Sequence, residues 1–170
     1  MDSYNTEDVI YALATAWARS AIAVVRASGA GCIERLYPVV GSRRDIRKLA
    51  TNTAHYCRLK DPADGKPVDD IVLTVYRDGH GYTGEEAFEI SCHGGLQVVR
   101  AVLSVMENLG FRQALPGEFT MRAFLHGKMD LTRAEAVNEL INARGRAGQK
   151  MALNRLNGAL FKRNPASTSA

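Results

Sequence analysis

Residues 86–93 read Glu-Ala-Phe-Glu-Ile-Ser-Cys-His, an alternating segment that ends at Gly94-Gly95. Because side chains of a β-strand point alternately to opposite faces, Phe88 and Ile90 are predicted on one face and Glu89 on the other. Two interpretations stay open: an edge strand with a solvated face, or the wall of a binding site. In the second, the Glu89 carboxylate accepts two parallel hydrogen bonds from an N–H/NH₂ edge such as that of a pterin or guanine.

Outward from this segment, hydrophobic periodicity predicts alternating strands and helices. Downstream, apolar residues recur at three and four positions between Leu96 and Leu109, which predicts an amphipathic helix closed by Gly110. Upstream, short β-branched or alternating runs predict strands, with a meander around the turn at 61–66. These strands are predicted at Val9–Thr15, Ala21–Ala27, Asn52–Leu59 and Asp70–Tyr76. The sequence therefore predicts an α+β fold, a mixed β-sheet with flanking helices.

A helical region is predicted from residue 117 onward. A short helix covers Glu118–His126, and a capping box formed by Thr132 and Glu135 opens a helix about thirty residues long that runs through Leu156. Such a helix must bury its apolar stripe against helices beyond residue 170 or on another chain. We thus predict an N-terminal domain at 1–116, the first helices of an incomplete helical domain at 117–163, and a disordered tail at 164–170.

Composition excludes several classes of protein. The chain has 170 residues, 46% of them hydrophobic, with a net charge of +4 and a pI near 9.1. No apolar run approaches the roughly 18–20 residues of a membrane helix, and the three cysteines fit neither a disulfide framework nor a zinc ribbon. A soluble, cytoplasmic protein is expected. No G-x-x-x-x-G-K-[ST] motif occurs, and the Gly81–Gly84 loop lacks the basic residue of a KH domain.

Two cations are candidates to join Glu89 in a site. Arg26 ends an otherwise apolar strand, and Lys128 lies in the turn Gly127-Lys-Met-Asp130 between two helices. Either side chain alone could simply extend to water. If both converge with Glu89, they suit a ligand with an amide-like head and a carboxylate tail.

Three motifs together resemble the MnmE (TrmE) family of tRNA-modification GTPases. They are Ala23-Val-Val-Arg-Ala-Ser-Gly29, the block Gly81–Gly95, and the long block Leu115–Ala143. The resemblance covers about residues 7–163, with the motifs in family order. It implies an aminomethyltransferase-like folate-binding domain that dimerises, followed by the first helices of a helical domain.

The resemblance also implies cofactors and partners. These are 5-formyltetrahydrofolate or 5,10-methylenetetrahydrofolate, the flavoprotein MnmG (GidA), tRNA modified at the wobble uridine, and a second copy of the chain. GTP, Mg²⁺ and K⁺ are expected only in a GTPase domain that has no counterpart in this sequence, and the C-terminal Cys motif is likewise missing. The chain alone is therefore not expected to be catalytic, and no membrane association is expected.

Carried over residue by residue, the family's folate contacts fall on Arg26, Glu89 and Lys128. Three features depart from the family: residues 16–21 replace a glycine-rich loop, His126 replaces an Asn beside Lys128, and residues 159–165 replace a Ser-containing stretch after Gly158. The alternative is a docking module without folate binding, in which a basic end meets tRNA or a protein partner. That basic end contains Arg144, Arg146, Lys150, Arg155, Lys162 and Arg163.

Overall fold

The computed structural model describes residues 7–142, which divide into two compact units, one ending at Ala114 and the other beginning at Leu115. The first unit's described residues form a seven-stranded sheet and two α-helices. In chain order these are β1 (Ile10–Leu13), β2 (Ile22–Ser28), α1 (Cys32–Leu36), β3 (Val40–Gly41), β4 (Thr53–Lys60), β5 (Pro67–Tyr76), β6 (Ala87–His93), α2 (Leu96–Asn108) and β7 (Arg112–Gln113).

The strands follow the order β3-β4-β5-β6-β2-β1-β7. All neighbours are antiparallel except β1 and β7, which makes the sheet mixed and confirms the predicted fold class. Strands β4, β5 and β6 form the predicted meander. β6 is flanked by β5 and β2, so the interpretation of residues 86–93 as an edge strand is wrong. The pairing of β6 with β2 depends on contacts distant in sequence, which a local pattern does not contain.

The sheet has an inner face that carries the core and an outer face that carries Arg26, Glu89 and Val72. On the inner face, strand residues such as Val25 and Phe88 pack with the buried side of α2, as the helical periodicity predicts. Fully burying a side chain of this size contributes roughly 1.5–3 kcal/mol. Glu89 therefore projects from a rigid, central strand whose opposite face is anchored in the core.

The loop between β1 and β2 is fastened to the start of α2. The Ser20 N–H donates to the Gly94 carbonyl (3.2 Å), and the Gly94 N–H donates to the Ala21 carbonyl (3.1 Å). A Cβ on Gly94 would lie 2.3 Å from the Ser20 carbonyl oxygen, so only glycine permits this close approach. Farther along the loop, the Arg100 guanidinium lies 5.5 Å from the Trp17 ring centroid. These contacts hold the loop between β1 and β2 against the start of α2.

The second unit contains α3 (Glu118–Leu125) and α4 (Leu131–Asn142). Within α3, Glu118 and Arg122 form a fully buried ion pair at 3.2 Å. The predicted capping box of Thr132 and Glu135 is wrong. The Asp130 carboxylate accepts the Arg133 N–H at 2.8 Å and so takes the capping role two residues earlier than predicted.

Several sequence predictions fall on residues outside the described range of 7–142. They are the continuation of α4 through Leu156, the disordered tail at 164–170, and the basic end from Arg144 to Arg163. Across the described part of the chain, every helix falls short of the length and apolar character required to cross a lipid bilayer.

Candidate ligand-binding site

Arg26 and Glu89 form the centre of the candidate site. They are cross-strand partners in the register of β2 and β6, and both project from the outer face of the sheet. Arg26 Nε and Nη2 both donate to Glu89 Oε1, at 3.0 and 2.7 Å. The structure thus brings together two of the three predicted site residues, although they are 63 positions apart in the chain.

Tyr76 contacts the other oxygen of this carboxylate. Its hydroxyl donates to Glu89 Oε2 at 3.3 Å, a longer contact than those from Arg26. Burial, reinforced by the neighbouring Glu89 charge, raises the pKa of Tyr76, so the hydroxyl is protonated at neutral pH and available as a donor. Oε2 is therefore the less firmly held oxygen of the carboxylate and the one a ligand donor can engage most readily.

The ion pair is partly open to solvent. The side chains of Arg26 and Glu89 are 35% and 26% exposed, respectively, so neither is sealed in the core. Partial exposure weakens the attraction between them, and such a pair contributes at most about 1 kcal/mol to stability. The pair therefore contributes little to holding the sheet together, and its polar atoms are accessible from solvent.

An aromatic side chain lies beside the pair on the loop before β6. The Arg26 guanidinium lies 5.8 Å from the Tyr82 ring centroid, and Tyr82 itself is exposed. This loop is the Gly81–Gly84 segment, which lacks the basic residue of a KH-domain loop. In this protein it presents an aromatic ring next to the charged pair.

Buried polar contacts anchor that loop to β2. The Ser28 hydroxyl donates to Glu85 Oε2 at 2.6 Å and lies 2.7 Å from Thr83 Oγ1. All three side chains are buried, so their hydrogen bonds offset the cost of removing them from water. The two consecutive acids, Glu85 and Glu86, both have partners within the protein, because Ser28 donates to Glu85 and Arg77 forms an ion pair with Glu86 (3.5 Å).

Sequence reasoning missed Tyr76, Tyr82 and the Ser28–Thr83–Glu85 contacts. The alternation of β5 together with the predicted meander could have placed Tyr76 on the same face as Glu89. The position of Tyr82 depends on a glycine-rich loop whose path is fixed by long-range contacts. No local pattern contains that information.

Lys128, the third predicted site residue, belongs to the second unit. It follows α3, its backbone N–H donates to the Ala123 carbonyl at 2.8 Å, and its side chain is exposed. Its neighbour His126 ends α3 and bonds through Nδ1–H to the Arg122 carbonyl (2.8 Å). Convergence of Lys128 with Arg26 and Glu89 stays a prediction.

Cys92 and His93 are neighbours on β6 and point to opposite faces of the sheet. Cys92 is buried, and burial raises the pKa of its thiol to about 11. His93 is exposed and bonds through Nδ1 to Asp69 at 2.8 Å. Among the described residues, no group of three or more His, Cys, Asp or Glu side chains could hold a metal ion.

Comparison with known proteins identifies the family. The family model described as "GTP-binding protein TrmE N-terminus" matches residues 9–128, which include Arg26, Glu89 and Lys128. The chain belongs to this family. The resemblance of the three sequence motifs is thereby confirmed, and the Arg26–Glu89 pair lies within a TrmE N-terminal domain.

Individual relatives agree with the family match. The tRNA modification GTPase MnmE of Carboxydothermus hydrogenoformans is 45% identical over 156 residues, or 91% of this chain and 34% of the relative. That of Treponema pallidum is 42% identical over 168 residues, 98% of this chain and 33% of the relative. That of Borrelia recurrentis is 39% identical over 158 residues, 93% of this chain and 34% of the relative. The chain spans about a third of the length of these TrmE-family relatives.

Proposed function

We propose that this chain is the N-terminal part of a tRNA modification GTPase and that it binds a tetrahydrofolate carrying a one-carbon group. The role in tRNA modification is supported by its relatives, which are tRNA modification GTPases. The observation that carries the folate proposal is the Glu89 carboxylate, held by Arg26 and Tyr76 on the outer face of a central strand.

The side chains around Glu89 fit a reduced pterin chemically. A pterin presents adjacent N–H and NH₂ donors along one edge, which a carboxylate can accept as two parallel, charge-assisted hydrogen bonds. Tyr82 offers an exposed aromatic surface next to Arg26 for the flat ring system. When bound, the folate would supply its one-carbon unit, while Glu89 orients the ring.

Two cations are proposed to hold the rest of the ligand. Arg26, already directed toward Glu89, would bind polar atoms of the folate, and Lys128 would contact its anionic glutamate tail. Each charge-assisted hydrogen bond contributes roughly 1.5–3 kcal/mol net. Two or three such bonds, added to packing of the ring, support binding in the micromolar range.

The outer face also supports a proposal of dimerisation. Ile22 and Val72 are 60% and 42% exposed there, whereas the helices of the first unit pack against the inner face. Exposed apolar side chains grouped on one surface are typical of an interaction site. We propose that a second copy of the chain covers Ile22, whereas Val72, the cross-strand partner of Tyr56, lies outside this contact.

The remaining activity is proposed for the complete protein. In this proposal, a GTPase domain binds GTP with Mg²⁺ and K⁺, and the assembly acts with the flavoprotein MnmG on the wobble uridine of tRNA. The 170 residues contain no phosphate-binding loop of the Walker type. This chain by itself would accordingly bind folate without catalysing GTP hydrolysis.

Isothermal titration calorimetry with 5-formyltetrahydrofolate tests the folate proposal. The wild-type chain should bind with a micromolar Kd, and Glu89→Gln should weaken binding about tenfold or more, since one charged acceptor is lost. Asp70→Asn is the matched control because Asp70 forms a similar exposed ion pair with Arg58 (2.7 Å) on the same sheet. Absence of binding by the wild type, or equal binding of GMP, would contradict the proposal.

A further inference from the structure

A groove lies at the sheet edge formed by β3 and β4, and its lining does not include Arg26 or Glu89. It has a volume of about 780 Å³ and is lined by the segment that follows β3 and by side chains of β4. The lining includes Arg43, Arg44, Arg58 and Lys60 and contains no acidic residue. The groove therefore presents concentrated positive charge at the edge of the first unit.

Most of this charge is available to a ligand. Arg58 is paired with Asp70, but Arg43, Arg44 and Lys60 form no ion pair with any carboxylate in the part of the chain that the structure describes. The nearby acid Asp45 bonds to Arg47 (2.9 Å). Three exposed cations around one open groove match a partner with several separated negative charges, as in a polyphosphate backbone.

Two further features make the groove suitable for a nucleic acid. Tyr56 lies in the lining with 71% of its surface exposed, so its ring is available for stacking with an unpaired base. Gly41 forms part of the groove without a side chain, and a Cβ there would stand 3.5 Å from Lys60 Cε. The Lys60 side chain therefore lies directly beside the Gly41 backbone.

We propose that the groove lined by Gly41, Arg43, Arg44, Tyr56 and Lys60 binds a loop or single-stranded segment of RNA. The cations contact phosphates, and Tyr56 stacks on one base. An acidic peptide would match the charges but would make no use of an exposed aromatic ring. The site is separate from the Arg26–Glu89 pair, and only the choice of a tRNA-like probe rests on the proposed function.

Fluorescence anisotropy with a fluorescein-labelled RNA hairpin tests this proposal on the full chain. The double variant Arg43→Ala/Arg44→Ala should lower the affinity about tenfold or more. The double variant Arg19→Ala/Lys48→Ala is the matched control, because it removes the same charge from exposed positions outside the groove. Loss of two phosphate contacts should reduce the slope of log K against log salt by about 1.4, or about 0.7 per phosphate of a single strand.

Tyr56 distinguishes RNA from a general polyanion. Tyr56→Ala should weaken hairpin binding by a factor of about five or more and leave heparin binding unchanged, whereas Tyr56→Phe retains the ring and the affinity. Because Tyr56 is exposed, these variants should keep the wild-type circular dichroism spectrum and melting temperature. Equal losses for RNA and heparin would show a general anion site and overturn the proposal.

Other outcomes would also contradict an RNA groove. They are absence of hairpin binding at low salt, equal affinity of the groove variant and its control, displacement of the RNA by poly-glutamate at matched charge, and loss of binding only on neutralising Arg144, Arg146 and Lys150. The folate proposal is tested separately by calorimetry on the same groove variant, which should bind 5-formyltetrahydrofolate as the wild type does.

Discussion

Arg26 and Glu89 face each other across β2 and β6, with both guanidinium donors directed to a single carboxylate oxygen. This one-sided geometry leaves the second oxygen with only the longer contact from Tyr76 among the described hydrogen bonds to it (3.3 Å). One ligand donor can therefore replace Tyr76 at Oε2, whereas a second, parallel donor would share Oε1 with Arg26. In the proposed function, these contacts would organise the site before folate arrives and so lower the entropic cost of binding.

The contact between Gly94 and the preceding loop predicts a position-specific loss of stability. Gly94→Ala places a Cβ 2.3 Å from the Ser20 carbonyl oxygen, so backbone must move, at a cost of about 1–3 kcal/mol. Gly95→Ala is the adjacent control, because its Cβ meets nothing closer than 4.0 Å. Urea unfolding should show the loss for Gly94→Ala alone, and similar losses for both variants would contradict the explanation.

The buried contacts beneath Tyr82 predict a link between stability and ligand binding. Ser28→Ala removes the hydroxyl that bonds Glu85 at 2.6 Å and should lower the unfolding free energy by about 1–3 kcal/mol. It should also weaken folate binding, because the loop that carries Tyr82 loses an anchor. Ser20→Ala, which removes an exposed hydroxyl, serves as the control in urea unfolding and calorimetry. Unchanged folate affinity in Ser28→Ala would contradict a role for Tyr82 in folate binding.

Tyr11 predicts a loss of stability at alkaline pH. Burial, together with a hydrogen bond to Glu107 (2.7 Å), raises the pKa of Tyr11 above its usual value of 10.0. The unfolded chain therefore releases this proton first, and the stability from Tyr11 is present below about pH 10 and falls as the pH rises further. In urea unfolding across this range, Tyr11→Phe should show a shallower decline than the wild type. Equal slopes would contradict the assignment to Tyr11.

The exposed residues of the outer face predict the oligomeric state. Ile22→Glu places a charge where the proposed second copy packs and should convert a dimer to a monomer in light scattering coupled to gel filtration. Leu125→Glu is the control, because Leu125 is similarly exposed (57%) but lies on α3. A wild-type chain that is monomeric at all accessible concentrations would contradict the dimer proposal.

Much of the fold could be predicted from local sequence. The alternation of residues 86–93 gave the correct two faces of β6, and the periodicity after Gly95 gave α2, because burial against one core imposes these repeats. The central position of β6 could not be predicted in this way, since it depends on pairing with β2. Asp130 and Thr132 are both residue types that cap helices, so the local sequence did not identify Asp130 as the residue that caps α4.

Only part of the candidate site could be predicted, because the rest depends on contacts between residues distant in sequence. Arg26 and Glu89 stood out as charges within apolar or alternating runs, and the family resemblance selected the same residues. Tyr76 and Tyr82 carry no such contrast, because aromatic residues are common in strands and loops. Their role follows only from strand register and from the buried contacts of Ser28.

The central claim is that Arg26, Glu89 and Lys128 bind one folate molecule. A crystal structure of the chain with 5-formyltetrahydrofolate tests it most directly. We predict that the pterin edge is hydrogen-bonded to the Glu89 carboxylate and that Arg26 and Lys128 contact the same ligand. A folate bound elsewhere, or one that touches Glu89 but leaves Lys128 without contact, would contradict the account.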